Sequence, residues 1–321
     1  MISSYVYNYI ILRGKLFNLP LLLVLNIYVH IMIYGSIKGK NMREINVNEI
    51  TYNIKEMCIE ATHFLTDDMK EALYSSKEKE TSPVGKKILG QLEKNLDIAG
   101  NDMIPICQDT GMTVVFIDIG QDVHFTGGLL EDAVNEGVRQ GYTEGYLRKS
   151  VVSDPIIRKN TGDNTPAVIN YNIVSGDNVK ITIAPKGFGS ENMSKIYMLK
   201  PADGIEGVKE AIINTVKEAG PNACPPMVVG VGIGGTFEKC ALLAKKALLR
   251  RIDIHSDIEY IAELEKEMLM KINDLGIGPG GLGGSVTAFA VNIETYATHI
   301  AGLPVAVNIC CHVNRHCTRV I

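Results

Sequence analysis

Apolar residues recur along the chain in two rhythms, and the alternation between them predicts a mixed α/β protein. Ile50, Ile54, Met57 and Ala61 stand at helical spacing, and Thr66-Asp67-Asp68 has the composition of a cap for a following helix. Ser82-Pro83 supplies an N-cap and a first-turn proline for a third helix, with Val84, Ile88, Leu92 and Leu96 as its apolar face. Residues 113–119 form a short β-branched run ended by Gly120, which predicts a buried strand. Thr126 then caps a helix reaching about Arg148. The runs 167–174 and 179–184, separated by Ser175-Gly176-Asp177-Asn178, predict a β-hairpin.

Further on, Val208, Ile212 and Val216 mark a helix stopped by Gly220-Pro221. Residues 227–233 predict a strand, and Gly234-Gly235-Thr236 opens a helix through about Arg251. A helix over 258–275, a strand near 286–293 and a last strand over 304–309 complete the order. No repeat or low-complexity linker interrupts it. Residues 42–321 therefore read as a single compact α/β domain of mixed sheets flanked by helices.

Residues 1–41 break the rhythm. Positions 16–34 carry no formal charge and are flanked by Arg13, Lys15, Lys38 and Lys40, the pattern of a transmembrane helix or uncleaved signal. Asn18, Pro20, Asn26 and His30 interrupt that pattern, and no small-residue cleavage site follows. The segment holds five of the 13 tyrosines and no acidic residue, a bias that translated AT-rich non-coding DNA would give. The expectation is that 1–41 is a non-native or leader extension and that a cytoplasmic protein starts at Met42. A membrane anchor is the alternative.

Composition narrows the function classes. With 46% hydrophobic residues, 21% charged residues and a formal charge of −4, the chain resembles an ordinary soluble enzyme and carries no basic footprint for nucleic acid. Seven cysteines at wide spacing do not form a disulfide framework, which points to a reducing compartment. Cys58 and Cys240 fall on predicted helices and read as small buried apolar residues.

Cys107, Cys224 and Cys311 have another context. Each lies at a loop–strand junction beside Gln, Pro or His, and no local C-x-x-C pair joins them. Structural zinc and ferredoxin-type clusters use close-spaced cysteines. Three dispersed thiolates suit a site that only the fold assembles, such as a four-iron cluster with one open, Lewis-acidic iron. Gly187 and Gly189, within Pro185-Lys186-Gly187-Phe188-Gly189-Ser190, give a loop suited to close backbone approach to a ligand. Residues 230–235 formally satisfy G-x-G-x-x-G, but Arg250 to Ser256 make a poor second strand for a dinucleotide fold. A helix N-terminus that receives a carboxylate, or simple close packing, explains those glycines as well.

Taken together, these stretches resemble the class I iron–sulfur fumarate hydratase family. The similarity is to the alpha subunit of its two-subunit form and of the related L(+)-tartrate dehydratase. It is carried by ICQDTG at 106–111, GYLRKSVVSDP at 145–155, RKNTGDNTPAVI at 158–169 and PKGFGSENMSKIYMLKP at 185–201. It continues through AGPNACPPMVVGVGIGGTFEKCALLAKKALLR at 219–250 and NIETYATHIAGLPVAVNICCH at 292–312. Gly280, where Gln is expected, and Ala297, where Pro is expected, depart from the pattern.

The resemblance implies a [4Fe-4S] cluster on Cys107, Cys224 and Cys311, with Cys310 excluded. It implies Gln108, Arg148 and the Gly187–Gly189 loop as substrate contacts, and Asp109 and His299 as proton-handling groups. The implied reaction is hydration of fumarate to L-malate, with dehydration of L(+)-tartrate to oxaloacetate as the alternative. A non-enzymatic iron–sulfur scaffold is the reading from a different class. Because the chain stops soon after Cys311, the resemblance also implies a separate beta subunit, an alpha2beta2 assembly and poor turnover by the lone chain.

Overall fold

The computed structural model describes residues 42–321 together with two short paired antiparallel strands, β1 (Tyr9–Leu12) and β2 (Lys15–Asn18). The rest of residues 1–41, including most of the apolar run, lies outside the described residues. Among those described, no helix is long and apolar enough to cross a membrane.

After β3 (Arg43–Asn46), the chain forms α1 (Val47–His63), capped by the Asn46 side chain, which accepts from the Asn48 N–H at 2.9 Å. Ile50, Ile54, Met57 and Ala61 are all buried, as their spacing predicts. Helix α2 (Asp67–Lys79) follows Thr66, whose hydroxyl makes no cap bond. Helix α3 (Pro83–Asp102) starts on Ser82, which accepts from the Gly85 N–H at 3.2 Å. Its buried face differs from the expected one. Gly85, Leu89 and Ala99 are buried while Val84 is exposed, because Gly85 turns toward Glu80, 2.8 Å from where a Cβ would sit.

Strand β4 (Met112–Gly120) occupies the predicted run and is followed by β5 (Val123–Thr126), which pairs in parallel with β3. Helix α4 (Leu130–Glu144) begins four residues beyond the expected cap. Thr126 belongs to β5, and Gly127-Gly128 make a turn before the helix. It also ends at Gly145, short of Arg148.

β6 (Val168–Val174) and β7 (Val179–Lys186) form where expected but not as a hairpin. Both pair with β4, which lies between them, parallel to β6 and antiparallel to β7. The 175–178 turn instead wraps over the end of β4, where the Gly120 N–H donates to Asn178 O at 2.9 Å. The glycine is required there, since a Cβ would meet Gly176 O at 2.5 Å. β12 (Cys317–Val320), which the hydrophobic pattern did not reveal, completes this sheet beside β7. One face packs on α1 and α4 through Val115, Ile117, Ile181, Ile183, Val134 and Val138.

The second sheet has the order β10-β9-β11-β8, from β8 (Lys195–Leu199), β9 (Met227–Gly234), β10 (Ala288–Tyr296) and β11 (Leu303–Cys310). Helices α5 (Gly204–Ala219) and α7 (Glu259–Asn273) cover one face, and α6 (Phe237–Ala247) the other. Burial on both faces explains why β9 reads as a continuous apolar run rather than an alternating one. A Cβ at Gly230 would meet Ala244 O at 2.3 Å, and one at Gly232 would meet Cys240 O at 2.0 Å. The G-x-G-x-x-G stretch is thus a seat for α6.

Glu80 joins the α2–α3 corner to the second sheet. It is 1% exposed, and its carboxylate accepts N–H groups from Ser82 (2.7 Å), Ser285 (2.9 Å) and Val286 (2.8 Å). Burial alone would push its pKa up, but these backbone donors outweigh burial and hold it below the ordinary carboxylate range. A depressed folded pKa contributes stability that is complete above the unfolded value and is lost as pH falls through the folded one. Glu80→Gln should therefore destabilise the fold by about 1–3 kcal/mol near neutrality. Its difference from the native protein should shrink below about pH 4. Denaturant unfolding at several pH values measures both effects, and a difference that persists unchanged in acid would contradict this role.

Candidate active site

The cysteines and Asp109 sit on loops at one end of both sheets, and each loop is held by backbone contacts. The Ile106 N–H donates to Thr62 O at the end of α1 (3.0 Å), while Asn95 of α3 donates to Ile106 O (2.9 Å). Cys107 follows, partly exposed, its thiol 3.5 Å from Gln108 Oε1. Cys224 has a left-handed backbone (φ 52°) before the cis Pro225–Pro226 bond. Its carbonyl accepts the backbone N–H (3.4 Å) of His312 and lies 3.0 Å from His312 Nδ1. Because Cys311 lies between the end of β11 and His312, this pairing ties the second and third cysteine segments together.

Cys107 and Cys311 pack on one apolar cluster with Ile106, Val228, Leu248 and Val313. Burial, and then the charge of Cys107, push the Cys224 thiol above its ordinary pKa. None of the cysteines is in a disulfide. The loops that carry Cys107, Cys224 and Cys311 thus lie at the same end of the second sheet. Among the described residues, no three His, Cys, Asp or Glu side chains could hold a metal ion. Three free thiols are soft donors of the kind that iron–sulfur groups take.

Asp109 is fixed more tightly than its exposed surroundings suggest. Oδ1 accepts the Gly111 N–H at 3.0 Å, and Oδ2 accepts the Phe188 N–H at 2.9 Å. The second bond reaches the Gly187–Gly189 loop, where a Cβ on Gly187 would stand 3.2 Å from Oδ2. Gly111 lies against the Lys186 backbone, 2.7–2.8 Å from its would-be Cβ, with φ +82°. The loop thus needs glycine for both space and backbone conformation.

The next clamp is Asn164, buried with φ 65°. Its amide donates to Gly111 O (3.2 Å) and its Oδ1 accepts the Ser150 N–H (2.7 Å). Tyr142 donates to Thr110 O (2.8 Å) and lies 3.0 Å from Gly111 O, while the Thr110 hydroxyl donates to Arg148 O (3.1 Å). The Asp109 loop and the Arg148 segment are therefore one hydrogen-bonded unit. Both line a cavity of about 490 Å³ with Ser150, Arg158, Phe188 and Asn192. Arg158, with φ 61°, was not singled out by the sequence pattern, although it stands in the polar stretch beside Arg148. It adds a second guanidinium to the cavity wall.

His299 lies elsewhere. It follows β10, in a loop whose Ala301 N–H meets its Nδ1 at 3.1 Å, and it lines an apolar groove with Ile205, Tyr260 and Ile300. Register places Met227, Ala288 and Cys310 at one end of the second sheet and Gly234, Tyr296 and Leu303 at the other. The eight residues of β9 separate the ends by roughly 23 Å at ~3.3 Å per residue. His299 and the cysteines of one chain thus occupy opposite ends. Of the departures from the family pattern, Gly280 (φ 65°) donates its N–H to Pro225 O at 2.9 Å, beside Cys224. Ala297 belongs to the His299 end, where its carbonyl accepts the Gly235 N–H at 3.1 Å.

A family model described as Fumarate hydratase (Fumerase) matches residues 51–320. A Methanocaldococcus jannaschii protein with the provisional name L(+)-tartrate dehydratase subunit alpha is 44% identical over 269 residues, spanning 82% of this chain and 94% of that one. The Escherichia coli K12 protein named L(+)-tartrate dehydratase subunit alpha is 32% identical over 278 residues, covering 86% and 91%. The chain belongs to the fumarate hydratase family.

Asn164→Ala tests the clamp. It leaves the Ser150 N–H without its partner, removes one donor from Gly111 O, and puts alanine at positive φ. The expected loss is about 2–4 kcal/mol of unfolding free energy. An effect below about 0.5 kcal/mol, the size of an ordinary surface substitution, would contradict the clamp.

Proposed function

We propose that this chain is the alpha subunit of an iron–sulfur hydro-lyase that dehydrates L(+)-tartrate to oxaloacetate and acts with a separate beta subunit in an alpha2beta2 assembly. The observation that carries the reading is a backbone-clamped carboxylate and two guanidiniums lining one cavity, with three free cysteines on loops at the same end of the sheets. The names of the relatives move the preferred substrate from fumarate, which the sequence put first, to tartrate. Fumarate hydration to L-malate stays the second reading, because the matching family model carries that description.

Cys107, Cys224 and Cys311 would hold a [4Fe-4S] cluster. When bound with one iron free of protein ligands, such a cluster supplies a Lewis acid for a substrate hydroxyl and carboxylate. Arg148 and Arg158 suit the carboxylates of a small dicarboxylate, since a guanidinium forms two parallel hydrogen bonds with one. Gln108, exposed beside Cys107, can hydrogen-bond substrate as acceptor and donor. The Gly187–Gly189 loop has no side chain at its two glycines, so substrate can approach its backbone.

Asp109 is the group that moves a proton. Two of its roughly four acceptor directions are taken by backbone donors, and the others remain for substrate. Loss of a hydroxyl and the neighbouring C–H proton from tartrate gives water and the enol of oxaloacetate. On this reading Asp109 carries that proton. His299 can enter such a site only from a second copy of the chain or after large rearrangement, given the separation along β9.

Anaerobic co-expression with the beta subunit, assayed on L-tartrate, fumarate and L-malate side by side, tests the proposal. Turnover of tartrate should exceed that of fumarate and fall steeply when the chain is purified alone. Asp109→Asn should lower kcat by about 100-fold or more with iron and sulfide content retained. Absence of turnover on all three dicarboxylates, or full activity in the Asn variant, would overturn the reading.

A further inference from the structure

Arg315 is 4% exposed, yet it forms no ion pair among the described residues. Its partners are two main-chain carbonyls far apart in sequence. Nε donates to Pro185 O at 2.9 Å, and Nη2 donates to Asp109 O at 2.5 Å. Nη1 is buried without a partner. Desolvating a guanidinium costs several kcal/mol unless charges and acceptors compensate it. Here the compensation is confined to these two carbonyls, so their placement requires explanation.

Pro185 precedes Lys186 at the end of β7, and two residues later Gly187-Phe188 begins the site loop. Asp109 carries the carboxylate that this same loop grips through the Phe188 N–H. The guanidinium therefore closes a ring: Asp109 carboxylate, Phe188 N–H, the chain back to Pro185, Arg315, and Asp109 carbonyl. Nη2 also lies 3.8 Å from the would-be Cβ of Gly187. Arg315 itself stands four residues after Cys311, on the segment from β11 to β12. One side chain thus couples the segment after the third cysteine to both loops bearing the proton carrier and the glycines.

Resting on the hydro-lyase reading for its catalytic consequence, we propose that Arg315 is the positioning residue that sets Asp109 against the Gly187–Phe188 loop. It does so by spanning the Pro185 and Asp109 carbonyls. It does not touch substrate. The span requires the fork of a guanidinium, because a lysine ammonium at the end of a single flexible stem has no matching planar geometry.

The test uses the complex with the beta subunit and two variants, Arg315→Lys and Arg315→Met. Methionine removes the buried charge at similar length, a change that buried sites often accept. Hydrogen–deuterium exchange over residues 105–112 and 185–192 reads the ring without any turnover, and unfolding temperature separates local from global loosening. Both variants should lose protection in those two segments and keep it in β9 and β11. Both should lower kcat on the best dicarboxylate by roughly 100-fold, with a smaller change in KM.

A lysine variant with native kcat and native exchange would show that charge alone suffices, which overturns the proposal. Native behaviour of the methionine variant would overturn it also. If the unmodified complex turns over none of the dicarboxylates, the hydro-lyase reading fails, and the exchange pattern still decides whether Arg315 sets the Asp109 loop. If one variant is insoluble, the other carries both readouts.

Discussion

The candidate site depends on one constraint, that Asp109 be held from both of its ends. Its carboxylate accepts N–H groups from Gly111 and Phe188, and its carbonyl receives the buried Arg315 guanidinium. A carboxylate on an unsupported loop would sample many orientations. Three bonds from three stretches of chain remove that freedom and leave part of its acceptor capacity for a ligand. Gly111, Asn164 and Tyr142 extend the same support to Arg148, so Asp109 and Arg148 belong to one hydrogen-bonded unit. Preorganisation of this kind lets a modest set of polar groups act strongly at a partly open cavity.

Behind this frame lies a buried electrostatic layer. Lys186, 5% exposed, pairs with Glu191 at 3.3 Å and donates to the Ser190 hydroxyl at 2.9 Å. Lys245 pairs with the same carboxylate. Burial would push the Glu191 pKa up, but the two lysines more than offset it and hold the group ionised. Burial also draws Lys245 below its ordinary value despite the pairing. The Cys311 thiol's hydrogen bond, and after it the charges of Lys186, Arg315 and Lys245, hold Cys310 below its ordinary value, while that same hydrogen bond and burial push Cys311 well above it.

Much of the fold was legible because burial writes itself into local pattern. β4 and β9 are continuous apolar runs, and α1 and α5 carry one apolar face each, so sequence placed them well. The hairpin was misread because pairing is not local. The 167–174 and 179–184 runs carry every sign of strands, but only Gly120, packed on the 175–178 turn, shows that β4 lies between them. The start of α4 was misplaced because a threonine before a helical pattern looks like a cap whether or not strand and glycines intervene. β12 escaped because Cys317-Thr318-Arg319-Val320 is too short to show a period.

The site was legible in a different way. Spacing alone made three cysteines candidates, and the long matching motifs assigned their partners. Neither could show that Asp109 is gripped by Phe188, since that bond joins positions 79 residues apart. Arg315 and Arg158 were missed because a lone arginine in a polar or terminal stretch resembles a solvated surface charge. His299 was grouped with Asp109 by motif, and only the register of β9, β10 and β11 shows that the two stand at opposite ends.

The central claim is that three distant thiols build a single iron–sulfur site in this chain. Iron and acid-labile sulfide per chain, measured after anaerobic reconstitution of Cys107→Ser, Cys224→Ser, Cys311→Ser and Cys310→Ser proteins, addresses it directly. A stable cluster should be lost in each of the first three and retained in the fourth. Full iron and sulfide in any of the first three, or loss confined to the Cys310 variant, would contradict it.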